Sequence, residues 1–90
     1  MTKAVVSVIG RDRTGIIYNV TKILYENNIN ILDISQTIMQ DMFTMVMLVD
    51  IKESKIEFKN LEKILREKGI EIGTDIKICH EEIFNSMHRI

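Results

Sequence analysis

The chain has 90 residues, 46% of them hydrophobic, with 12 lysine or arginine side chains against 13 aspartate or glutamate side chains and a formal net charge of -1. This length accommodates one domain with one core, and the apolar fraction excludes a disordered chain. The near-neutral charge lacks the excess of basic side chains that nucleic acid or an anionic membrane attracts. We therefore expect a single domain over residues 1–90 that binds neither nucleic acid nor membrane.

The cysteine content and the first residues of the chain indicate a compartment. Cys79 is the one cysteine, and a lone thiol forms no internal disulfide, which fits a reducing environment. No apolar run approaches the roughly 18 residues of a membrane span. The N-terminal residues have no apolar region or cleavage site of a signal peptide. These patterns predict a cytoplasmic protein.

The first predicted elements are a strand, a polar loop and a helix. Residues 3–9 (KAVVSVI) are β-branched and apolar and stop at Gly10, as a buried strand does. A polar loop (RDRTG) follows, in which Asp12 or Thr14 is placed to cap the next helix. That helix, over residues 15–28, is predicted to end at an asparagine pair, because asparagine tolerates a left-handed cap. Its apolar side chains recur on one face at Ile16, Ile17, Val20, Ile23 and Leu24.

A hairpin is predicted next. Residues 29–39 and 42–51 read as two strands joined by the turn Gln40–Asp41. The second of these strands is apolar on both faces, with Phe43, Met45, Met47, Val49 and Ile51 on one and Val46 and Leu48 on the other. The first strand also offers Val5 and Ile9 opposite Ala4, Val6 and Val8. A sheet with one wet face alternates more strictly, so we expect a second copy of the chain or its own tail to cover the back.

A second helix, a fourth strand and a tail complete the chain. Ser54 followed by Glu57 forms a capping-box pattern, and the helix is predicted to end at Gly69. Its inward-facing side chains are Phe58, Leu61, Ile64 and Leu65. Residues 70–79 are predicted to form the fourth strand. The tail, residues 81–90, carries Ile83, Phe84, Met87 and Ile90 at helical spacing and is expected to pack on a sheet, because so short a helix is unstable alone.

The element order β-α-β-β-α-β determines the expected fold. Two helices that each bury one apolar face are accommodated by a four-stranded antiparallel sheet with both helices on one side. We therefore predict the α+β class and a ferredoxin-like βαββαβ sandwich, followed by a short C-terminal helical tail.

The loop between the two glycines is the first candidate binding site. Glycine lets a ligand approach the backbone, and the N–H groups of a first helical turn attract a carboxylate or a phosphate. Arg11 and Arg13 add positive charge. In the structural alternative, the glycines only make the turn and Asp12 only caps the helix.

Polar groups on the second strand form the second candidate. Asn30, Asp33 and Ser35 interrupt an otherwise apolar strand, which we expect to lie beside the glycine loop. There they could bind an ammonium or a hydroxyl group. In the alternative interpretation they protect an edge strand from aggregation.

Metal binding and catalysis have little support. Cys79, His80, Glu81 and Glu82 are metal-ligand types, with His88 further on, but no second cysteine or paired histidine spacing completes a site. No motif brings a nucleophile to a base. We therefore expect neither a metal nor a cofactor, and no catalytic residues.

The strand–GRDRTG–helix pattern, followed by residues 30–36 (NILDISQ), resembles an ACT domain. The chain is most similar to short stand-alone ACT proteins of bacteria and archaea, including its ending IFNSMHRI, and glycine-cleavage-repressor-like ACT domains are relatives. The resemblance implies a regulatory homodimer or higher homo-oligomer that binds an amino acid or a related metabolite between paired domains. It maps the ligand contacts onto Gly10, Arg11, Asp12, Arg13, Thr14, Gly15, Asn30, Leu32 and Asp33.

Two other functions remain open at this point. One is an interaction module that binds a regulated protein partner through its tail and apolar sheet face, without a small ligand. The other is an acylphosphatase-like enzyme, since acylphosphatases share the element order and use an arginine loop. Their characteristic loop sequence is absent here.

Overall fold

The strands and helices follow one another in the order that the sequence predicts. The computed structural model describes residues 2–87, in which the elements are β1 (Lys3–Gly10), α1 (Arg13–Glu26), β2 (Asn30–Met39), β3 (Met42–Asp50), α2 (Phe58–Ile72), β4 (Asp75–His80) and α3 (Glu81–Met87). The strands form one antiparallel sheet in the order β2-β3-β1-β4. This arrangement confirms the α+β, ferredoxin-like fold. The predictions for His88 and Ile90 lie outside the described residues.

The core lies between the sheet and the helices α1 and α2. Strand β3 alternates strictly, with every second side chain buried. The core cluster is formed by side chains of β1, β3, β4, α1 and α2 together with Ile29, which precedes β2. Its buried members are Ala4, Val6, Val8, Ile16, Val20, Ile23, Leu24, Ile29, Phe43, Met45, Met47, Val49, Leu61, Leu65, Ile76 and Ile78. No polar or charged residue within residues 2–87 is fully buried. Apolar burial therefore holds the two layers together.

Helix α1 begins and ends two residues earlier than predicted, at Arg13 and Glu26, although the residues at both of its ends are among those expected to cap it. Asp12 is the N-cap, and its side chain accepts a hydrogen bond from the Gly15 N–H. At the other end Asn28 adopts a left-handed φ of 61°, directly after the C-cap residue Asn27. Both features depend on neighbours in sequence, which is why the residue pattern alone could locate them.

Two predictions about the ends of α2 are wrong. Ser54 does not cap the helix, because its Oγ donates to the Ile56 carbonyl within the preceding loop, and α2 begins after Glu57 without a side-chain cap. Gly69 does not end the helix either. The helix continues to Gly73, which adopts the left-handed φ of 67°.

The fourth strand is consequently shorter than predicted. The segment predicted as residues 70–79 begins as the last turn of α2 and becomes strand only at Asp75. Gly69 instead lies at the close contact between α2 and β4, where an added Cβ would meet the Thr74 carbonyl and the Ile76 side chain. A glycine in the last turn of a helix can mark close packing as well as termination.

The back of the sheet is covered over one half. The tail helix α3 lies against β1 and β4, which confirms that the tail packs on the chain's own sheet. Over β2 and the end of β1, nothing within residues 2–87 covers the back, and the side chains of Ile9 and Met39 are 43% and 71% exposed. None of the helices in residues 2–87 is long and apolar enough to cross a membrane.

Candidate functional site

The glycine at the end of β1 lies in close packing. A Cβ atom on Gly10 would lie 2.7 Å from Cδ1 of Ile16 and 2.8 Å from Oγ1 of Thr74. Contacts this short do not occur with real side chains, so any larger residue at position 10 would force the side chains of Ile16 and Thr74 to move. This position therefore has a structural explanation whether or not a ligand approaches the loop.

The second glycine is required by the helix cap. Oδ1 of Asp12 accepts a hydrogen bond of 3.1 Å from the Gly15 N–H, and a Cβ on residue 15 would lie 2.5 Å from Oδ2 of the same carboxylate. The Ile16 N–H also donates, at 2.9 Å, to the Asp12 carbonyl. The carboxylate of Asp12 thus occupies the position that a ligand carboxylate would take at the start of α1.

Two guanidinium groups flank this helix start. Nε of Arg11 lies 4.0 Å from Oδ2 of Asp41 in the β2–β3 turn, and both side chains are mostly exposed. The Arg13 guanidinium lies 6.0 Å from the centroid of the Phe43 ring. Exposed ion pairs and cation–π contacts of this kind are weak, so both arginines can reorient toward an anion at small cost. Asp41 and Phe43 are neighbours of the loop that the sequence pattern does not reveal, because the sheet register brings them there.

The sheet register separates the glycine loop from the polar residues of β2. Gly10 pairs with Phe43, which pairs with Ile38 near the end of β2. Asn30 pairs with Asp50, which pairs with Lys3 at the start of β1. Asn30 and the loop therefore lie at opposite ends of the sheet, separated along the strands by roughly 23 Å for seven residues at about 3.3 Å each. Asp33 and Ser35, which pair with Leu48 and Val46, lie closer to the level of the loop but remain two strands away from β1.

The expectation that the β2 residues lie beside the loop is therefore wrong within one chain. Both β1 and β2 run antiparallel to β3, so β2 runs in the same direction as β1. The start of β2 consequently lies near the start of β1, whereas the loop follows the end of β1. Thr14, another residue predicted to contact the ligand, is exposed in the first turn of α1 and lies next to the loop.

The residues predicted on β2 have distinct local environments. Asn30 lines a cleft of about 340 Å³ together with Tyr25, Asp50 and Glu53, none of which the sequence analysis had selected. Leu32 is the extra residue of a bulge, where the register with β3 shifts between Ile31 and Asp33. Bulges are common on sheet edges, where they disturb pairing with other chains.

Asp33 forms a local hydrogen bond on the edge strand β2. Its Oδ1 accepts a hydrogen bond of 2.9 Å from the Ile34 N–H. Since the N–H groups of a strand alternate in direction, an N–H bonded to a neighbouring side chain is expected to point away from β3 and toward the open edge. This contact agrees with the edge-protecting interpretation of Asp33.

Strand β2 is nevertheless a long open edge. All ten of its residues are exposed or half-buried, and within residues 2–87 no strand pairs with its outer edge. The exposed apolar side chains on it are Leu32, Ile34, Ile38 and Met39. An exposed apolar edge of this length is a template for pairing with another strand.

The Cys79–Glu82 segment does not assemble a metal centre. Within residues 2–87 no three His, Cys, Asp or Glu side chains lie close enough together to hold a metal ion. The His80 ring stacks on Phe58 at 4.1 Å between centroids and an interplanar angle of 18°. Burial raises the pKa of the Cys79 thiol, which therefore stays protonated at neutral pH.

Comparisons with known proteins agree on the family. The sequence model of the ACT domain matches residues 2–78. A UPF0237 protein of Methanocaldococcus jannaschii is 56% identical over 90 residues, covering 100% of both chains. The structure of an ACT domain protein from Streptococcus pneumoniae superimposes with a TM-score of 0.79 at 34% identity, covering 92% of this chain and 93% of that one.

A more distant structure shares the fold. A protein assigned as a glycine cleavage system transcriptional repressor matches 88% of this chain and 45% of its own, with a TM-score of 0.74 at 21% identity. At this identity the similarity establishes the fold alone. It agrees with the relationship that the loop and strand motifs indicated.

Proposed function

The chain belongs to the ACT domain family, and on that premise we propose that it is a regulatory module without catalytic activity that binds an amino acid or a related metabolite between two copies of itself. The ligand contacts are the Gly10–Gly15 loop of one copy and Asn30, Leu32 and Asp33 of the other. ACT domains are typically regulatory and bind ligands, and a structure of the same fold is assigned as a transcriptional repressor.

One observation carries the proposal. The strand register separates the two halves of the site within one chain, and pairing between two copies through the open edge of β2 can bring the halves together. In a two-fold dimer the β2 strands of two copies pair antiparallel. The Met39 end of one β2 then lies beside the Asn30 end of the other. Because the Gly10–Gly15 loop is at the Met39 end of its own sheet, it faces the same end of the dimer as Asn30 of the second copy.

The chemistry of the two halves suits a zwitterion. Arg11 and Arg13 supply positive charge for a carboxylate, which would replace the Asp12 carboxylate at the start of α1. Asn30 and Asp33 supply an amide oxygen and a carboxylate for an ammonium group. A bound ligand would then bridge the two copies and couple its own concentration to the stability of the dimer.

The ligand class is found first by thermal shift. The purified protein is screened against the standard amino acids, with its mass in solution recorded alongside. A ligand at a hundred times its dissociation constant adds about 2.7 kcal/mol to the free energy of unfolding, which raises Tm measurably. A flat screen on a stable dimer would contradict the amino-acid proposal.

Mixing two defective variants then tests whether each site is shared. Arg11→Ala/Arg13→Ala impairs the loop half and Asn30→Ala the strand half, so each homodimer should lose binding of the amino acid found in the screen. A heterodimer of the two variants contains one of its two sites with both halves intact. Equal mixing with free subunit exchange makes about half of the dimers heterodimers, so it should restore about a quarter of the wild-type binding capacity. If mixing restores nothing although the subunits exchange, both halves act within one chain.

A second candidate function has its own observation. Ile83 and Met87 on α3 are 52% and 64% exposed, so the tail presents apolar side chains to solvent while it lies on the sheet. An interaction module that docks a regulated protein through this tail would lose assembly when residues 82–90 are deleted, whereas changes at Gly15 would leave assembly intact. Retained assembly after the deletion would reject this alternative.

A further inference from the structure

A cavity lies at the β4 edge of the sheet, far from β2. Its volume is about 480 Å³, within the range of roughly 300–1,000 Å³ that is typical of small-molecule sites. Helix α2 borders it on the helix side of the sheet and α3 on the back, with β4 between them. Its wall is mostly apolar and includes Val5, Val46, Ile78, Phe84 and Met87.

The charged side chains that line the cavity are mainly basic. The lining contains two basic side chains, Arg66 and Lys77, and one carboxylate, Glu62. Lys77 is partly engaged, since its Nζ lies 3.8 Å from Oδ2 of Asp75. Arg66 forms no ion pair within residues 2–87. An exposed guanidinium beside an apolar cavity is therefore available to an anion.

The roof of the cavity can adjust to a ligand. Helix α3 has seven residues, none of them buried, so few contacts hold it on the sheet. A helix this short depends on packing for its stability. A ligand that fills the space lined by Phe84 and Met87 would add apolar contacts to the helix.

From this arrangement we propose that the cavity binds an aliphatic carboxylate, with its hydrocarbon chain against the apolar wall under α3 and its carboxylate on Arg66. The site is independent of the β2 edge and of the effector proposed there. Lys77 adds charge at the same rim, and the neutral Cys79 thiol forms part of the wall. The lone cysteine therefore reports on occupancy.

The experiment uses decanoate as the probe, below its critical micelle concentration, on the full-length protein. Decanoate should slow the reaction of Cys79 with N-ethylmaleimide and raise Tm. Decanol, which has a similar chain without the charge, should bind more weakly, and decylamine more weakly still. Decanoate that leaves both the thiol reaction and Tm unchanged would overturn the proposal, as would equal protection by all three compounds.

Two matched pairs of variants locate the probe. Arg66→Ala should weaken decanoate binding about tenfold, the order expected for a hydrogen bond to a charged group, and leave decanol binding unchanged. Lys63→Ala, on the same helix but outside the cavity, should bind decanoate as the wild type does. Ser7→Phe should fill the cavity and abolish binding, whereas Thr44→Phe, on the same sheet face, should not. Equal behaviour within both pairs would place decanoate elsewhere and reject this site.

Discussion

The Asp12 carboxylate and the backbone of Gly15 form one unit at the start of α1: Oδ1 accepts the Gly15 N–H at 3.1 Å, and Oδ2 occupies the space where a Cβ of residue 15 would stand. The glycine loop therefore has a structural role before any ligand is considered. A ligand carboxylate at this helix start must compete with Asp12, which sets a cost on binding there.

The contact between Asp12 and Gly15 predicts that the effect of Gly15→Ala on the free energy of unfolding reverses its sign when residue 12 no longer caps the helix. Inside a helix, alanine is normally more stable than glycine by roughly 0.5–1 kcal/mol. With Asp12 present, the added methyl displaces the cap, whose loss costs up to about 2 kcal/mol. After the gain for alanine, Gly15→Ala should therefore destabilise the protein by up to about 1 kcal/mol. Gly15→Val should do so more strongly.

In an Asp12→Ala background the cap is already absent, so Gly15→Ala should stabilise. Urea unfolding of the two single variants and the double variant measures the coupling. Additive effects would mean that the contact between Asp12 and residue 15 does not explain the glycine.

The open edge of β2 predicts a proline substitution that prevents dimerisation without unfolding the chain. Because the Ile34 N–H bonds to the Asp33 side chain, we expect it, and the N–H of Gln36 two residues on, to point to the open edge. Gln36→Pro should leave the β2–β3 ladder intact and remove a donor needed for pairing between copies. The expected result is a folded monomer by circular dichroism and light scattering.

Ser35→Pro is the matched control, because its N–H faces β3 and its loss should destabilise the hairpin itself. A folded dimer of Gln36→Pro with the wild-type mass would show that copies do not pair through β2.

Asp33 has two roles that one substitution distinguishes. Asp33→Ala removes an exposed side chain whose one hydrogen bond is to its neighbour Ile34, so the free energy of unfolding should change by less than about 0.5 kcal/mol. If Asp33 also binds the ligand's ammonium group, calorimetric titration with the amino acid found in the screen should show a loss of about tenfold or more. Equal losses in binding and stability would favour a purely structural role.

The sequence predicted the features that depend on near neighbours. The cap at Asp12, the buried face of α1 and the alternation of Phe43 and Met45 each follow from spacing along one element. The fold class followed because six elements in this order have few compact arrangements. The candidate site followed only in part.

The site could not be assembled from the sequence because its geometry depends on strand direction. Asn30 and the glycine loop are separated by only one helix along the chain. Because β1 and β2 both pair antiparallel with β3, the two lie at opposite ends of the sheet. Neither periodicity nor residue type encodes this distance. The same limit applies to Asn30 and Tyr25, which line one cleft only because α1 ends near the start of β2.

The α2–β4 connection shows a further limit and gives the last prediction. Gly69 and Gly73 are equivalent as helix terminators in the sequence, but they differ in structure. Gly73 has a φ of 67° and open space around its Cα, whereas Gly69 contacts Thr74 and Ile76. A non-glycine residue in the left-handed region costs about 1–2 kcal/mol, and asparagine tolerates it better than alanine does.

Gly73→Ala should therefore destabilise the protein and Gly73→Asn should do so less. At position 69 the order should reverse, because any side chain collides with the Thr74 carbonyl and the larger asparagine collides more. Chemical denaturation of the four variants tests both orders. If asparagine rescues position 69 as it does position 73, the helix ends at Gly69 in solution and the close contact of α2 with β4 is wrong.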